Sequence, residues 1–366
     1  MTSDKLLPWF PHLPPIYDIY KTYEDNAAFG PFFDHMIPKR DFPKEDMWFD
    51  FLGVNVASKI GIAAGPLLTS KWIALAAALG FDIVTYKTIR SKKHPAHPLP
   101  NMIYVQKEMG VARQITAPSH DIAQLGVTNS FGMPSKSAEF LIEDIPKAQS
   151  FLKSGQVMIV SVVGSTDAEK PFIEDFIDAA LLAKNAGAKI IEANFSCPNV
   201  DKTAGCLYMT PEVILEIGTR IVQAVHPIPV IIKMGLFPSL HIMRKSLIAA
   251  AKAGFQAIHG INTVSKKVVD LQGNPALGLH RPTAGICGGP IRKEALSFIQ
   301  DAKKITKEEK LDLTILGVGG VTLSEHFDLF FKSGADIAMT ATGMMWDPYL
   351  AARYHATSGK SCLNNS

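Results

Sequence analysis

The sequence is poor in cysteine. Four thiols, Cys197, Cys206, Cys287 and Cys362, are spread over 366 residues, and no CxxC pair occurs. A zinc ribbon or an iron–sulfur cluster held by this chain alone is therefore not expected, and neither is a disulfide framework. A reducing compartment, read here as the cytoplasm, fits better. Charge of one sign is also lacking. With 37 Lys and Arg against 34 Asp and Glu, the formal net charge is +3. This predicts neither a nucleic-acid-binding stripe nor an acidic tail. No apolar run reaches the ~18–20 residues needed to cross a bilayer. The opening Met1-Thr2-Ser3-Asp4-Lys5 soon meets prolines and has no signal-peptide core. Dense His, Asp or Cys clusters of the kind a metal wants are missing too, so no metal is expected.

What is present is core-forming material. The chain is 47% hydrophobic and 19% charged, which excludes wholesale disorder. Its length suggests about two domains, but an α/β barrel takes roughly 250 residues as one domain, leaving about 100 to explain. Residues 1–50 hold eleven of the 32 aromatic residues and seven of the 24 prolines. Pro8, Pro11, Pro14 and Pro15 prevent a helix before about Ile16. Tyr17, Tyr20, Tyr23, Phe29, Phe32 and Phe33 then recur at helical spacing, interrupted by Gly30-Pro31. This leader reads as a cap packing its rings on the main domain, with a membrane or lipophilic-ligand surface as the alternative.

After residue 55, eight short Val/Ile/Ala-rich runs alternate with amphipathic stretches. The runs are Ile60–Gly65, Ile83–Lys87, Val157–Val163, Ile190–Ser196, Val230–Gly235, Ala257–Thr263, Thr314–Gly319 and Asp336–Thr342. Helices are predicted over Ser70–Leu79, Phe172–Ala186, Pro211–Val225, Leu240–Ala253 and Ser324–Ser333. Continuous apolar strands separated by helices imply parallel pairing, and eight units imply a (β/α)8 TIM barrel. The alternative is an open doubly wound sheet, against which the absence of GxGxxG after the first strand counts. Residues 88–156 read as an insertion after the second strand, lying above the barrel. It contains a Pro/His-rich piece, 94–100, and one helix, Ser137–Ser154. The expected division is a leader at 1–50, a barrel at 51–358 and a tail at 359–366.

Barrel sites lie at the C-terminal strand ends. The polar residues there are Lys87, Ser161, Asn194-Phe195-Ser196-Cys197-Pro198-Asn199, Lys233 and Asn262-Thr263. Gly317-Val318-Gly319-Gly320 and Thr340-Ala341-Thr342-Gly343 follow at strands seven and eight. The last two suit a phosphate, because glycines admit backbone N–H groups and a helix start adds a positive dipole. Lys87 and Lys233 end apolar runs, so each ammonium needs an anion in a dry setting. Carboxylates are few at the strand ends, Glu192 being one, so a ligand is expected to supply the counter-charge. Asn129, Asn194, Asn199 and Asn262 offer donors and acceptors to a planar, amide-rich ring. Cys197, among polar neighbours but with no His/Asp partner nearby, suits general acid–base work better than acyl transfer.

These residues resemble the dihydroorotate dehydrogenases. NFSCPN at 194–199 is similar to the family's catalytic signature, with cysteine as in the class 1 branch. Residues 61–65, GIAAG, resemble the first flavin-contacting strand, and VTYKT at 84–88 the lysine-bearing second strand. NSFGMP at 129–134 resembles the substrate loop, although Phe131 stands where methionine is more usual. Val230–Lys233 resembles the flavin-lysine strand, Ile261–Thr263 the sixth-strand asparagine, and Gly285–Gly289 with Gly317–Gly320 the flavin-phosphate loops. The likeness runs from about residue 51 to 355.

The resemblance implies FMN-dependent oxidation of dihydroorotate to orotate in pyrimidine biosynthesis, with Cys197 as the base. Lys87, Asn129, Gly132 and Met133 would hold the substrate carboxylate, and Asn194, Asn199, Asn262 and Thr263 the pyrimidine ring. Ala64, Gly65, Lys87, Thr88, Asn194 and Lys233 would contact the flavin ring, and Gly288, Gly319, Gly320 and Thr342 its phosphate. A small molecule is the expected partner, not nucleic acid. A homodimer and peripheral membrane contact through the leader stay open. So does the electron acceptor, because the leader resembles class 2 in length while the base resembles class 1. The alternatives are a dihydropyrimidine dehydrogenase-like enzyme and a catalytically silent flavin- or pyrimidine-binding sensor.

Overall fold

Apolar runs of five to seven residues without alternation can form strands only where both faces are covered. The computed structural model, which describes residues 16–166, 170–196 and 204–361, places all eight runs in that setting. A hairpin, β1 (Phe49–Phe51) and β2 (Val54–Val56), leads into β3 (Ile60–Ile62) and β4 (Ile83–Ile89). The chain then leaves the barrel for β5 (Met102–Lys107), β6 (Val111–Gln114) and β7 (Gly126–Asn129). It returns through β8 (Val157–Val162), β9 (Ile190–Asn194), β10 (Val230–Lys233) and β11 (Ala257–Gly260). A second excursion, β12 (Val264–Val269) and β13 (Thr283–Gly288), precedes β14 (Thr314–Val318) and β15 (Ile337–Thr340).

Strands β3, β4, β8, β9, β10, β11, β14 and β15 close in that order into an all-parallel (β/α)8 barrel. Between strands run helices with ordinary signals. The helix Leu240–Ala253 starts at Ser239, whose hydroxyl accepts from the Ile242 N–H, and stops at Gly254 with φ 92°. The helix Pro211–Val225 begins with proline, whose missing N–H costs nothing there. Inside the barrel, Ile83, Val157, Ile159, Ile190, Ile231, Leu316 and Met339 form an apolar layer. Phe51 and Val56 of the hairpin join it and plug the end opposite the strand tips.

Two features differ from the sequence reading. The insertion helix is Ala138–Ser150, shorter than expected, and it contains Pro146. The segment Thr283–Gly288 is a strand as well as a glycine loop. It pairs antiparallel with β7 and β12, so the two excursions merge into one closed five-stranded sheet, β12-β13-β7-β5-β6. Local patterning does not reveal this pairing, because its partners are far apart in the chain.

The described part of the leader, from residue 16, forms a short α-helix, Tyr23–Phe29, and a 3-10 turn, Glu45–Met47, instead of extended helical faces. Asn26 is fully buried and ties the preceding turn, donating to the carbonyls of Asp18 and Thr22 at 2.9 Å each. Ile16, Tyr17, Ile19, Tyr23 and Ala27 join the main core, while Tyr20 and Phe29 face outward. Farther on, Arg40 grips Asp82 just before β4, at 2.5 and 2.7 Å. Asp82 also accepts from Ser58 and Gln156. Among the described residues, no helix is long and apolar enough to cross a membrane.

Asp82 is fully buried, so removing it leaves a guanidinium facing an apolar interior. Asp82→Ala should destabilise the fold by about 3 kcal/mol, measured as a lower denaturant midpoint. A change near zero would show that the leader is not anchored through this pair.

Candidate active site

One cavity opens at the C-terminal ends of the barrel strands. Its open space, mouth included, is about 1310 Å³. Ala64 and Gly65 follow β3, and Lys87 and Thr88 lie on β4. Asn194 ends β9 and Lys233 ends β10. Asn262 and Thr263 follow β11, and Val318–Val321 and Thr342 close the circuit. Asn129 and Met133 come from the first excursion and Gly288 from the second. All these sequence-predicted residues meet here. Gly132 does not line the cavity. Cys197 and Asn199 lie outside the described residues.

Among the described lining residues, the charged ones are Lys87, Lys233 and Glu192, so the cavity favours an anion. Lys233 corrects one expectation, because its counter-charge is already in the protein. Its Nζ lies 3.2 Å from both ring nitrogens of His259, and His259 Nδ1 is 2.5 Å from Glu192 Oε2. Burial pushes the Lys233 ammonium down to about 8, with Glu192 opposing. Burial opposes ionisation of Glu192, but Lys233 and His259 outweigh it and hold the carboxyl at about 2. Burial and then Lys233 push His259 down to about 4, so its ring is neutral near pH 7. His259 escaped the sequence reading, hidden in an apolar run. Glu192 was within reach of it, since the strand period of two puts it on the same face as Asn194.

The asparagines are held before any ligand arrives. Asn194 Oδ1 accepts from the Ser196 N–H at 3.1 Å, and Asn262 Nδ2 donates to the Ser196 carbonyl at 3.2 Å. Asn129 Nδ2 points at Cys287 Sγ, 3.5 Å away. Burial pushes the Cys287 thiol up to about 12, so it stays protonated.

The loop at 129–134 is clamped from behind. Arg90 Nε donates to the Met133 carbonyl at 2.9 Å, Nη2 to the Gly132 carbonyl at 3.2 Å, and Nη1 to Ser165 Oγ at 2.6 Å. The Pro/His-rich piece pairs with the same loop, His94 with Ser135 and the His97 N–H with the Phe131 carbonyl. Gly132, at φ 76°, leaves room for the His97 ring, which a Cβ would meet at 2.6 Å. Phe131 packs edge-on against Tyr17 of the leader and beside Tyr23. Both tyrosines line the cavity, a contribution of the leader that the sequence reading missed.

On the opposite wall, Gly288, Gly319 and Gly320 adopt φ of 83°, 131° and 82°. A Cβ at Gly288 would meet the Leu125 carbonyl at 2.2 Å, and one at Gly320 the Arg292 side chain at 2.6 Å. These positions therefore require glycine. Arg292 Nε fixes the turn through the Gly320 carbonyl at 2.8 Å. Among the described residues, no group of three His, Cys, Asp or Glu could hold a metal.

Arg90 should act as the clamp of the 129–134 loop. In Arg90→Met, the amide hydrogens of residues 131–133 should exchange with deuterium at least about tenfold faster, as the loss of hydrogen bonds to a charged group implies. Unchanged exchange would show that the loop holds itself.

Comparison with known proteins agrees with this geometry. The sequence model of the family described as dihydroorotate dehydrogenase matches residues 47–354. A dihydroorotate dehydrogenase of Dictyostelium discoideum is 44% identical over 357 residues, covering 93% of this chain and 96% of that protein. The catalytic subunit of dihydroorotate dehydrogenase B (NAD(+)) from Caldicellulosiruptor saccharolyticus is 30% identical over 263 residues, 72% of this chain and 75% of that one. The corresponding subunit from Anoxybacillus flavithermus is 28% identical over 228 residues, 62% and 67%. With a parallel barrel, its lysine- and asparagine-lined mouth and likeness over nearly the whole length, the chain belongs to the dihydroorotate dehydrogenase family.

Proposed function

We propose that this chain oxidises dihydroorotate to orotate in pyrimidine biosynthesis, with FMN as its cofactor. The observation that carries this reading is the meeting of Lys87, Lys233 and three asparagine amides in one cavity beside a glycine-built turn. The substrate is a cyclic amide bearing a carboxylate, and both of its chemistries find partners there. The residues also fit the cofactor. Gly288, Gly319 and Gly320 leave backbone exposed where side chains would collide, and Lys233 brings a cation. A bound flavin supplies the acceptor for the hydride leaving ring carbon 6.

The chain's residues do the rest. Cys197 takes the proton from ring carbon 5. Lys87 and Asn129, with the backbone of Gly132 and Met133, hold the carboxylate and fix the ring's orientation. Asn194, Asn199, Asn262 and Thr263 hydrogen-bond the ring amides. Ala64, Gly65, Thr88, Lys87 and Asn194 would hold the flavin ring. Lys233 would supply a cation to the reduced ring, and Thr342 with the glycines would hold the phosphate. The names of the relatives do not favour the alternatives, a dihydropyrimidine dehydrogenase-like enzyme or a silent sensor.

The test is anaerobic. The purified protein should be yellow, and dihydroorotate should bleach it while dihydrouracil does not. A yellow protein unchanged by dihydroorotate would sink the reading. Cys197→Ala should bleach about 10²–10⁴-fold more slowly, the usual worth of a positioned base, while binding orotate as before. Equal rates would remove Cys197 from its role.

A further inference from the structure

Five consecutive barrel strands each send one polar side chain into the layer beneath the cavity. They are Thr88 from β4, Ser161 from β8, Glu192 from β9, Lys233 from β10 and His259 from β11. None is more than 4% exposed. Ser161 Oγ donates to Glu192 Oε1 at 3.0 Å, so its neighbour Thr88 Oγ1, also 3.0 Å away, donates to Ser161. Glu192 reaches His259, and His259 reaches Lys233. The chain of contacts begins and ends at cavity-lining residues, Thr88 and Lys233.

The charges in this layer are one carboxylate and one ammonium, with a neutral imidazole between them. The other titratable groups lining the cavity are Lys87, a second cation, and Tyr17, Tyr23 and Cys287, which burial keeps protonated and neutral. An ammonium this deep would lose its proton without a balancing carboxylate. Glu192 is the one acidic side chain among the described cavity-lining residues, and His259 links it to Lys233.

We propose that Glu192 and His259 are positioning residues that hold Lys233 as an ammonium toward the cavity, so that the charge a bound flavin gains on reduction meets a cation already in place. The proposal rests on the reading of the cavity as a flavin site. The balance is explicit. Two electrons and one proton arrive together as a hydride, and the ring gains one negative charge. Lys233 matches that charge, so no second proton crosses from solvent. Without Glu192, Lys233 loses its proton before reduction and regains it during reduction, so two electrons then bring two protons.

The number of protons taken up is read from the pH dependence of the bound flavin's midpoint potential, measured around pH 7. A merely structural role would not move it. We expect about one proton per two electrons in the unmodified protein and close to two in Glu192→Gln. His259→Gln, which keeps the carboxylate, should give a value above one. It carries the test if Glu192→Gln does not fold. Two protons in the unmodified protein would overturn the proposal. So would an unchanged count in variants that retain flavin. A protein that binds no flavin at all fails the cavity reading instead, and this is seen before any variant is made.

Discussion

A buried ammonium needs a counter-charge, and this one constraint organises the upper half of the barrel. Lys233 ends a strand whose preceding residues, Val230, Ile231 and Ile232, are wholly buried. Its cation can stand there only because Glu192 and His259 come from the strands on either side. Below this layer lies an apolar cluster closed by Phe51 and Val56. Above it lies a polar cavity. The barrel thus changes from a packed core to a reaction vessel within one layer of side chains.

The cavity walls obey a second rule. The floor comes from rigid strand ends, whereas the sides come from loops fixed by contacts outside the barrel. Arg90 holds the Gly132–Met133 carbonyls, the His94–His97 segment pairs with the same loop, and Tyr17 and Tyr23 rest on Phe131. The leader is part of this scaffold. It runs from the cavity mouth, through Tyr349 bonded to the Met36 carbonyl, to the Arg40–Asp82 pair beside β4. Its aromatic richness therefore has a structural use at its inner face, where Tyr17 and Tyr23 are buried.

Much of this was legible in the sequence for physical reasons. Strands buried on both faces read as uninterrupted apolar runs, so all eight barrel strands stood out, and many of the polar residues at their ends line the cavity. Glycines with forced φ, such as Gly319 and Gly320, carried their own signal. Three things were not legible. His259 sits in an apolar run and looks like core. Arg90 works through backbone carbonyls, which leave no pattern in side-chain identity. The five-stranded sheet depends on pairing between two excursions, and neither of them specifies the other locally. The leader's helix was overestimated because spacings of three and four also suit a turn closed by a buried asparagine.

That sheet has a consequence for how the protein is made. Thr128 and Gly285 are bonded across 157 positions of chain, and β6 finds its parallel partner only in β12. During synthesis from the N-terminus, β5, β6 and β7 are complete long before β12 and β13 leave the ribosome. Contacts of such high sequence separation form slowly and late. For that interval the inner edge of β7 lacks its neighbour and the cavity lacks a wall. Catalytic competence thus arrives near the end of translation, and the half-built sheet is the stage at which the nascent chain most needs shielding from other chains.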